Sequence, residues 1–224
     1  MARPKITLYV DTVSPFAYQA YYILRNDPIF KNVDITYIPI FLGGLMHKCG
    51  NTAPIKIKNK DKWINIERLR WSRLFSIPML ESLPPDFPAP TLPVMRALTA
   101  VYASEQNDSA QPKFTRALDA LFKAHWVDGQ ATHRPEELKK ALAEIFGAEE
   151  ADKIIKQSAT PEVKQLLIQN TDRAFDEGAF GLPWLTCTNA DGKTEGFWGV
   201  DHLGQAVVFL GLDKGTNNGW RAVL

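Results

Sequence analysis

A serine at the junction between a predicted strand and a predicted helix is the first candidate for chemistry in this chain. The stretch ITLYVDTVSPFAY begins as an apolar, β-branched strand and passes through Ser14-Pro15 into a run of helical character. Serine is a preferred N-cap, and proline is favoured at the first helical position. The hydroxyl can also donate to an anion, such as a thiolate, held at the positive end of the helix dipole. Ser14 therefore either only begins the helix or forms part of an anion site.

Two segments near the C-terminus could complete such a site. Gly181-Leu182-Pro183 precedes a predicted strand, where a proline cannot join the hydrogen-bond ladder. A cis Leu182–Pro183 bond would turn the N–H and C=O of Leu182 outward, so that they could pair with an extended peptide as an added strand does. Gly199-Val200-Asp201 precedes the last predicted helix, where backbone N–H groups can bind a carboxylate and Asp201 can pair with an amine. The alternative for Asp201 is an ordinary N-cap.

The elements that must position these residues follow a recognisable order. Residues 6–12 and 33–41 are predicted strands, with a helix between them that begins after Ser14. Gly43-Gly44 and the segment 50–54 are predicted loops. LPWLTCTN and TEGFWG flank a turn at residues 190–193 and predict a β-hairpin, which a helix over 202–210 follows. The helices predicted between the second strand and the hairpin cover residues 63–75, 94–104, 112–127, 135–146, 148–157 and 161–177, with an extended proline-rich segment at 78–93.

This order predicts an α/β protein with a thioredoxin-like fold and an inserted all-helical domain, as in DsbA-like proteins. Residues 1–50 and 176–224 would form the discontinuous thioredoxin-like domain, and residues 51–175 the insertion. Redox members of the fold carry a CxxC motif at the start of the first helix. Residues 14–17 are Ser-Pro-Phe-Ala, so disulfide exchange at this position is excluded.

Composition narrows the function classes further. The formal net charge of +1 gives no long-range attraction to nucleic acid or to an anionic membrane. The local lysine cluster at positions 56, 58, 60 and 62 is interpreted as a solvated surface. The histidines are scattered without zinc-ligand spacing, which predicts that there is no metal site. Cys49 and Cys187 form neither a CxxC nor a zinc motif, and a reducing compartment fits them best.

The sequence also predicts the location of the protein. Its first residues, MARPKITLYV, lack a long apolar signal core, and no apolar run is long enough to span a bilayer. The C-terminal RAVL is a poor match to a peroxisomal SKL address. We therefore expect a soluble intracellular protein in the cytoplasm, with mitochondria or peroxisomes as alternatives.

Several of these motifs together resemble those of the kappa-class glutathione transferases and the related 2-hydroxychromene-2-carboxylate isomerases. The matching pieces are SPFAY, the loop GNTAP, SATPEVKQLL, EGAFGLPWLT and FWGVDHL, and the resemblance covers about residues 5 to 212. It implies a homodimeric enzyme of detoxification that activates glutathione, its co-substrate, as a thiolate for conjugation to a small electrophile.

The resemblance also implies roles for individual residues. Ser14 takes the place of the serine that hydrogen-bonds the glutathione sulfur. The residues that would contact the rest of the tripeptide are Asn51, Lys60, Glu67, Leu182 with the cis Pro183, Val200 and Asp201.

The chain departs from the family motifs at several positions. Thr52-Ala53 stands in place of Lys-Pro, and Ala17 in place of a second serine. Val200 replaces a serine, and His202 replaces an arginine. These changes would affect how glutathione binds, so the sequence defines the fold more closely than it defines the substrate. The alternatives are an isomerase that adds glutathione reversibly, and a glutathione-binding module without turnover. Trp63 and Trp71 are candidates for lining an acceptor pocket.

Overall fold

The sheet is built from the two ends of the chain. In the computed structural model, which describes residues 2–105, 108–214 and 218–223, the strands are β1 (Lys5–Val10), β2 (Asp34–Pro39), β3 (Trp184–Thr188) and β4 (Thr194–Trp198). They lie in the order β2-β1-β3-β4. β1 and β2 run parallel, whereas β3 is antiparallel to both β1 and β4. The β-hairpin predicted from LPWLTCTN and TEGFWG is thereby confirmed.

The helices of the described chain lie before, within and after the long segment that separates β2 from β3. They are α1 (Pro15–Asn26), α2 (Leu42–Lys48), α3 (Lys60–Leu74), α4 (Leu92–Ala103), α5 (Pro112–Trp126), α6 (Pro135–Phe146), α7 (Ala148–Ser158), α8 (Pro161–Asp176), α9 (Leu203–Phe209) and α10 (Asn218–Ala222). Short 3₁₀ turns occur at Pro28–Phe30, Pro54–Lys56 and Val200–His202. In the described part of the chain, none of the helices is both long and apolar enough to cross a bilayer.

Both faces of the sheet are covered. Leu8 and Val10 of β1 point into a large core that continues into the helical segment, where Leu98 and Phe122 belong to it. Tyr9, which lies between them, points into a smaller core on the opposite face, together with Trp184. Alternate residues of β1 are therefore buried on opposite faces of the sheet. The boundaries of the two predicted domains remain a prediction.

The expectation of a loop at Gly43-Gly44 was wrong, because both residues lie in α2. A Cβ atom on Gly43 would lie 2.8 Å from Cζ of Phe41, and one on Gly44 would lie 3.1 Å from Cδ1 of the same ring. The N–H of Phe41 donates to Oγ1 of Thr171 at 3.0 Å. The glycines thus give room to an aromatic ring at the start of a helix, and that start is fixed by contacts distant in sequence.

Candidate active site

Ser14 is the N-cap of α1, as predicted. Its Oγ accepts a hydrogen bond from the N–H of Ala17 at 3.1 Å, and Pro15 occupies the first helical turn. The side chain is 6% exposed. Among the described residues, no hydrogen bond has the Ser14 hydroxyl as its donor, so its proton remains available to a ligand. Capping the helix and donating to an anion are therefore compatible roles for this one hydroxyl.

The turn that carries Ser14 is held by a buried carboxylate that sequence reasoning missed. Asp11 is completely buried, and its side chain accepts the N–H of Val13 at 3.1 Å and the N–H of Leu42 at 2.9 Å. Its carbonyl oxygen accepts the N–H of Ser14 at 3.1 Å. Burial raises the pKa of Asp11 to about 6. The available sequence signal was an acidic residue placed directly after an apolar strand.

Sheet register brings three separate segments to one edge. Tyr9 lies opposite Trp184, and Trp184 lies opposite Trp198. The turn after β1, the segment before β3 and the segment after β4 therefore meet at the same edge. The Leu182–Pro183 bond there is cis, as predicted. Leu182 packs in the same small core as Ala17 of the first turn of α1.

The segment after β4 is attached to the cis-proline. The N–H of Gly199 donates to the carbonyl oxygen of Pro183 at 3.0 Å. Val200 is 1% exposed, and its side chain belongs to the large core. The carboxylate of Asp201 is 60% exposed, with Oδ1 at 3.4 Å from Nδ1 of His202. The alternative interpretation of Asp201 as the N-cap of the last helix was wrong: His202 is the N-cap of α9, and Asp201 lies inside the preceding 3₁₀ turn.

The loop after α2 reaches the same edge. Nδ2 of Asn51 donates to the carbonyl oxygen of Phe180 at 2.7 Å, two residues before Leu182. Oδ1 of Asn51 accepts the N–H of Thr52 at 2.8 Å. The structure thus links the loop of Asn51 to the cis-proline segment.

Lys60 and Glu67 lie farther from this junction, on α3. Lys60 is the first residue of that helix and is exposed, and Glu67 forms an ion pair with Arg70 at 2.6 Å. α3 is joined to α1 through a hydrogen bond from Nε2 of Gln19 to the carbonyl oxygen of Arg68. Among the described contacts, none joins Lys60 or Glu67 to the segments around Ser14.

The tryptophans proposed to line an acceptor pocket differ in exposure. Trp63 is 52% exposed on α3, and the guanidinium of Arg70 lies 5.1 Å from its ring centroid. Trp71 is half-buried and packs beside Phe75, with 6.5 Å between the ring centroids. Within the described ranges, no group of three histidine, cysteine, aspartate or glutamate side chains is arranged to hold a metal ion.

Chemically, the sheet edge combines a hydroxyl donor at a helix N-terminus with a cis-proline segment and the exposed carboxylate of Asp201. The fold that builds it is a thioredoxin-like α/β fold with a helical insertion, which confirms the predicted fold class. Residues 5–210 match the family model of the DSBA-like thioredoxin domain, and the chain belongs to that family.

Relatives and solved structures support this assignment over nearly the whole chain. The chain is 30% identical to glutathione S-transferase kappa 1 of Rattus norvegicus over 212 residues, which cover 92% of this chain and 90% of the relative. It is 27% identical to 2-hydroxychromene-2-carboxylate isomerase of a Pseudomonas species over 206 residues, or 88% and 86% of the two chains. A solved structure of a 2-hydroxychromene-2-carboxylate isomerase has a TM-score of 0.74 at 21% identity, with 92% and 94% of the chains covered.

Proposed function

We propose that this protein is a glutathione transferase of the kappa type, which activates the glutathione thiol as a thiolate and transfers it to a small electrophile. The observation that carries the proposal is the state of Ser14: Oγ accepts the N–H of Ala17 and keeps its own proton for a ligand at the N-terminus of α1. The 30% identity to a kappa-class transferase supports the same activity.

The rest of the tripeptide would bind along the sheet edge. The backbone of Leu182 beside the cis Pro183 would pair with the cysteinyl unit, as an added strand pairs with a sheet. The backbone of Val200 would hold the γ-glutamyl carboxylate, and Asp201 would pair with the γ-glutamyl amine. Asn51, whose side chain donates to the carbonyl oxygen of Phe180, is proposed as a further contact to the tripeptide. Lys60 and Glu67 of α3 are proposed as more distant contacts.

Two effects at Ser14, the charge at the helix N-terminus and the hydrogen bond from the hydroxyl, would each lower the pKa of the bound thiol. A charge at a helix end is stabilised by about 0.3–1 kcal/mol, and by up to about 2 kcal/mol where it is partly buried. A hydrogen bond to a charged group contributes about 1.5–3 kcal/mol. Since one pKa unit corresponds to about 1.4 kcal/mol, the two effects together would lower the thiol pKa by about one to three units. That shift would convert a mostly protonated thiol into a substantial thiolate fraction at neutral pH.

A second candidate is a glutathione-dependent isomerase of the 2-hydroxychromene-2-carboxylate type. The similarity to the Pseudomonas isomerase over 206 residues favours it. Both enzymes would use the same thiolate, and the difference lies in the acceptor and in the fate of glutathione, which an isomerase regenerates. A single-turnover assay that asks whether glutathione is consumed or recovered separates the two. A glutathione-binding protein without turnover is the third alternative.

The proposal also covers the oligomeric state, the physiological role and the location of the protein. By analogy with the kappa-class proteins that the sequence resembles, we propose a homodimer, a role in detoxification and a location in the cytoplasm, mitochondria or peroxisomes.

The experiment that tests the proposal measures proton release when glutathione binds. Calorimetry in two buffers of different ionisation enthalpy reports the number of protons released, and a conjugation assay reports the rate. We expect Ser14→Ala to bind glutathione within several-fold of wild type, to release fewer protons and to conjugate at least tenfold more slowly. Equal loss of affinity and rate, or an unchanged rate, would contradict the role of Ser14.

Thr160→Ala is the matched control for this experiment. Thr160 begins α8 as Ser14 begins α1: its side chain accepts the N–H of Val163 at 3.4 Å, and a proline follows it. Removal of this cap is expected to lower stability by about 1 kcal/mol while leaving proton release and rate unchanged. The comparison separates the loss of a helix cap from the loss of a thiolate donor.

A further inference from the structure

The carboxyl of Asp11 lies in the turn that joins β1 to α1, three residues before Ser14. It is completely buried, and its oxygens accept the N–H groups of Val13 and Leu42. The first of these bonds lies within the turn itself, so the carboxylate sits beside the N-terminal end of α1. A thiolate bound at Ser14 would occupy the same end of the same helix.

No counter-charge compensates this carboxylate within the described residues. Apart from burial, the pKa of Asp11 is shifted only by hydrogen bonds from the backbone of Val13 and Leu42 and from the side chain of Thr91. The buried cation on α3, Arg68, donates instead to the carbonyl oxygens of the segment 80–82 and does not contribute to the pKa shift of Asp11. The other charged and titratable side chains of the surrounding helices also have environments of their own: Tyr18 donates to the carbonyl oxygen of Pro78, Lys48 pairs with Asp172, Arg173 pairs with Glu177, His47 is exposed, Arg96 is half-buried, and His125 is buried beside Trp126.

We propose that the Asp11 carboxylate takes up a proton when glutathione bound at Ser14 loses its thiol proton, so that the pair carries one negative charge rather than two. This inference rests on the proposed function, because it requires a thiolate at Ser14. In terms of protons, the S–H bond gives its proton to solvent and an Asp11 oxygen gains one from solvent. Because this uptake by Asp11 is partial at neutral pH, binding would still release protons, but fewer than one per glutathione.

The physical reason is repulsion between two anions in a poorly solvated place. Each negative charge disfavours the other, and the two groups titrate as a coupled pair. Asp11 can accept the proton at moderate pH because burial already raises its pKa to about 6. A neutral carboxyl keeps oxygen lone pairs for hydrogen bonds, so the turn can hold its shape in both states.

The test compares two aspartates that make the same local bond at opposite ends of α1. Asp11 accepts the N–H of Val13 at 3.1 Å, and Asp27 accepts the N–H of Ile29 at 3.1 Å. The apparent pKa of the bound thiol is read from the ultraviolet absorbance of its thiolate. We expect Asp11→Asn to lower this pKa by about one unit, a tenfold change in the thiolate-to-thiol ratio at fixed pH. Asp27→Asn should leave it at the wild-type value.

A measurement on the wild-type protein keeps the test valid if Asp11→Asn does not fold. The carboxyl carbon of Asp11 is titrated by carbon-13 NMR with glutathione and with S-methylglutathione, which has no thiol proton to lose. The inference expects a higher Asp11 pKa with glutathione only. Equal Asp11 titration with both ligands, or an unchanged or higher thiol pKa in Asp11→Asn, overturns it. Wild type that binds no glutathione as a thiolate overturns the proposed function itself, and the inference with it.

Discussion

At Ser14, one oxygen atom serves the fold and remains available for chemistry. Its lone pair accepts the N–H of Ala17 at 3.1 Å, which satisfies one of the free donors at the start of α1. The hydroxyl proton lies on the same atom and is not needed for capping. This is why Ser14→Ala is expected to affect the conjugation rate more than glutathione binding, whereas Thr160→Ala is expected to affect stability alone.

Asp201 offers a second test at the scale of single residues. Its carboxylate is 60% exposed, does not cap a helix and has only Nδ1 of His202 as a described ion-pair neighbour, at 3.4 Å, which supports the proposed pairing with the γ-glutamyl amine. We expect Asp201→Asn to weaken glutathione binding by about three- to tenfold, the range for a partly solvated charge-assisted hydrogen bond, without a change in melting temperature. Calorimetry measures the affinity and thermal unfolding measures the stability.

Asp191→Asn supplies the control for the change in charge. Asp191 is an exposed carboxylate in the turn between β3 and β4, far along the hairpin from Gly199. Equal weakening in both variants would indicate a general electrostatic effect and would refute the assignment of Asp201.

At the scale of elements, the β3–β4 hairpin supports the cis-proline through Trp184. A Cβ atom on Gly196 would lie 2.4 Å from Cζ2 of Trp184, so the ring occupies the space above this glycine. Gly196→Ala is expected to displace Trp184, which directly follows Pro183, to lower the free energy of unfolding by about 1–3 kcal/mol and to weaken glutathione binding. Denaturant unfolding and calorimetry give the two quantities.

Gly192→Ala is the matched substitution in the same hairpin. Gly192 has φ +81°, and no neighbouring atom lies within 4 Å of the position that a Cβ would take there. The substitution would therefore strain the backbone by about 1–2 kcal/mol without touching Trp184. We expect it to lower stability and to leave glutathione affinity unchanged. Weakened binding in Gly192→Ala as well would show that hairpin stability, rather than the position of Trp184, controls the site.

At the scale of the whole molecule, two buried groups give stability opposite dependences on pH. Burial raises the pKa of Asp11 from 3.8 to about 6, so the folded state binds the extra proton and stability falls as pH rises through this window. Burial lowers the pKa of His125 from 6.5 to about 4, so the unfolded state binds the extra proton and stability rises with pH. Each effect amounts to about 3 kcal/mol over its full window.

These opposite effects largely cancel in the wild-type protein between pH 4 and 6. Asp11→Asn is therefore expected to lose stability more steeply than wild type as pH falls from 6 to 4, because only the His125 effect remains. His125→Phe should show the reverse difference. Denaturant unfolding at several pH values measures both slopes, and parallel curves for all three proteins would disprove this account.

Much of the fold and part of the site followed from local sequence patterns. Ser14-Pro15 and Thr160-Pro161 were recognisable as helix starts because capping depends on a few consecutive residues. The boundaries of α5 and α6 were predicted within one residue, and those of the two hairpin strands within two, because these signals are also local. The loop predicted at Gly43-Gly44 was wrong, because both glycines lie in a helix and pack against the ring of Phe41. The alternative role of Asp201 as a helix cap was wrong, because Asp201 lies inside a 3₁₀ turn that precedes α9.

The sequence by itself determined the order of the elements, the hydroxyl at the start of α1 and the absence of a CxxC motif there, because each depends on neighbouring residues. Only the tertiary structure decided that Asp11 is buried and that its carboxylate reaches Leu42, 31 residues along the chain. It also decided that Asn51 reaches Phe180, 129 residues away. The physical reason is that burial and such distant hydrogen bonds depend on how the packed elements meet, and a local pattern does not contain that information.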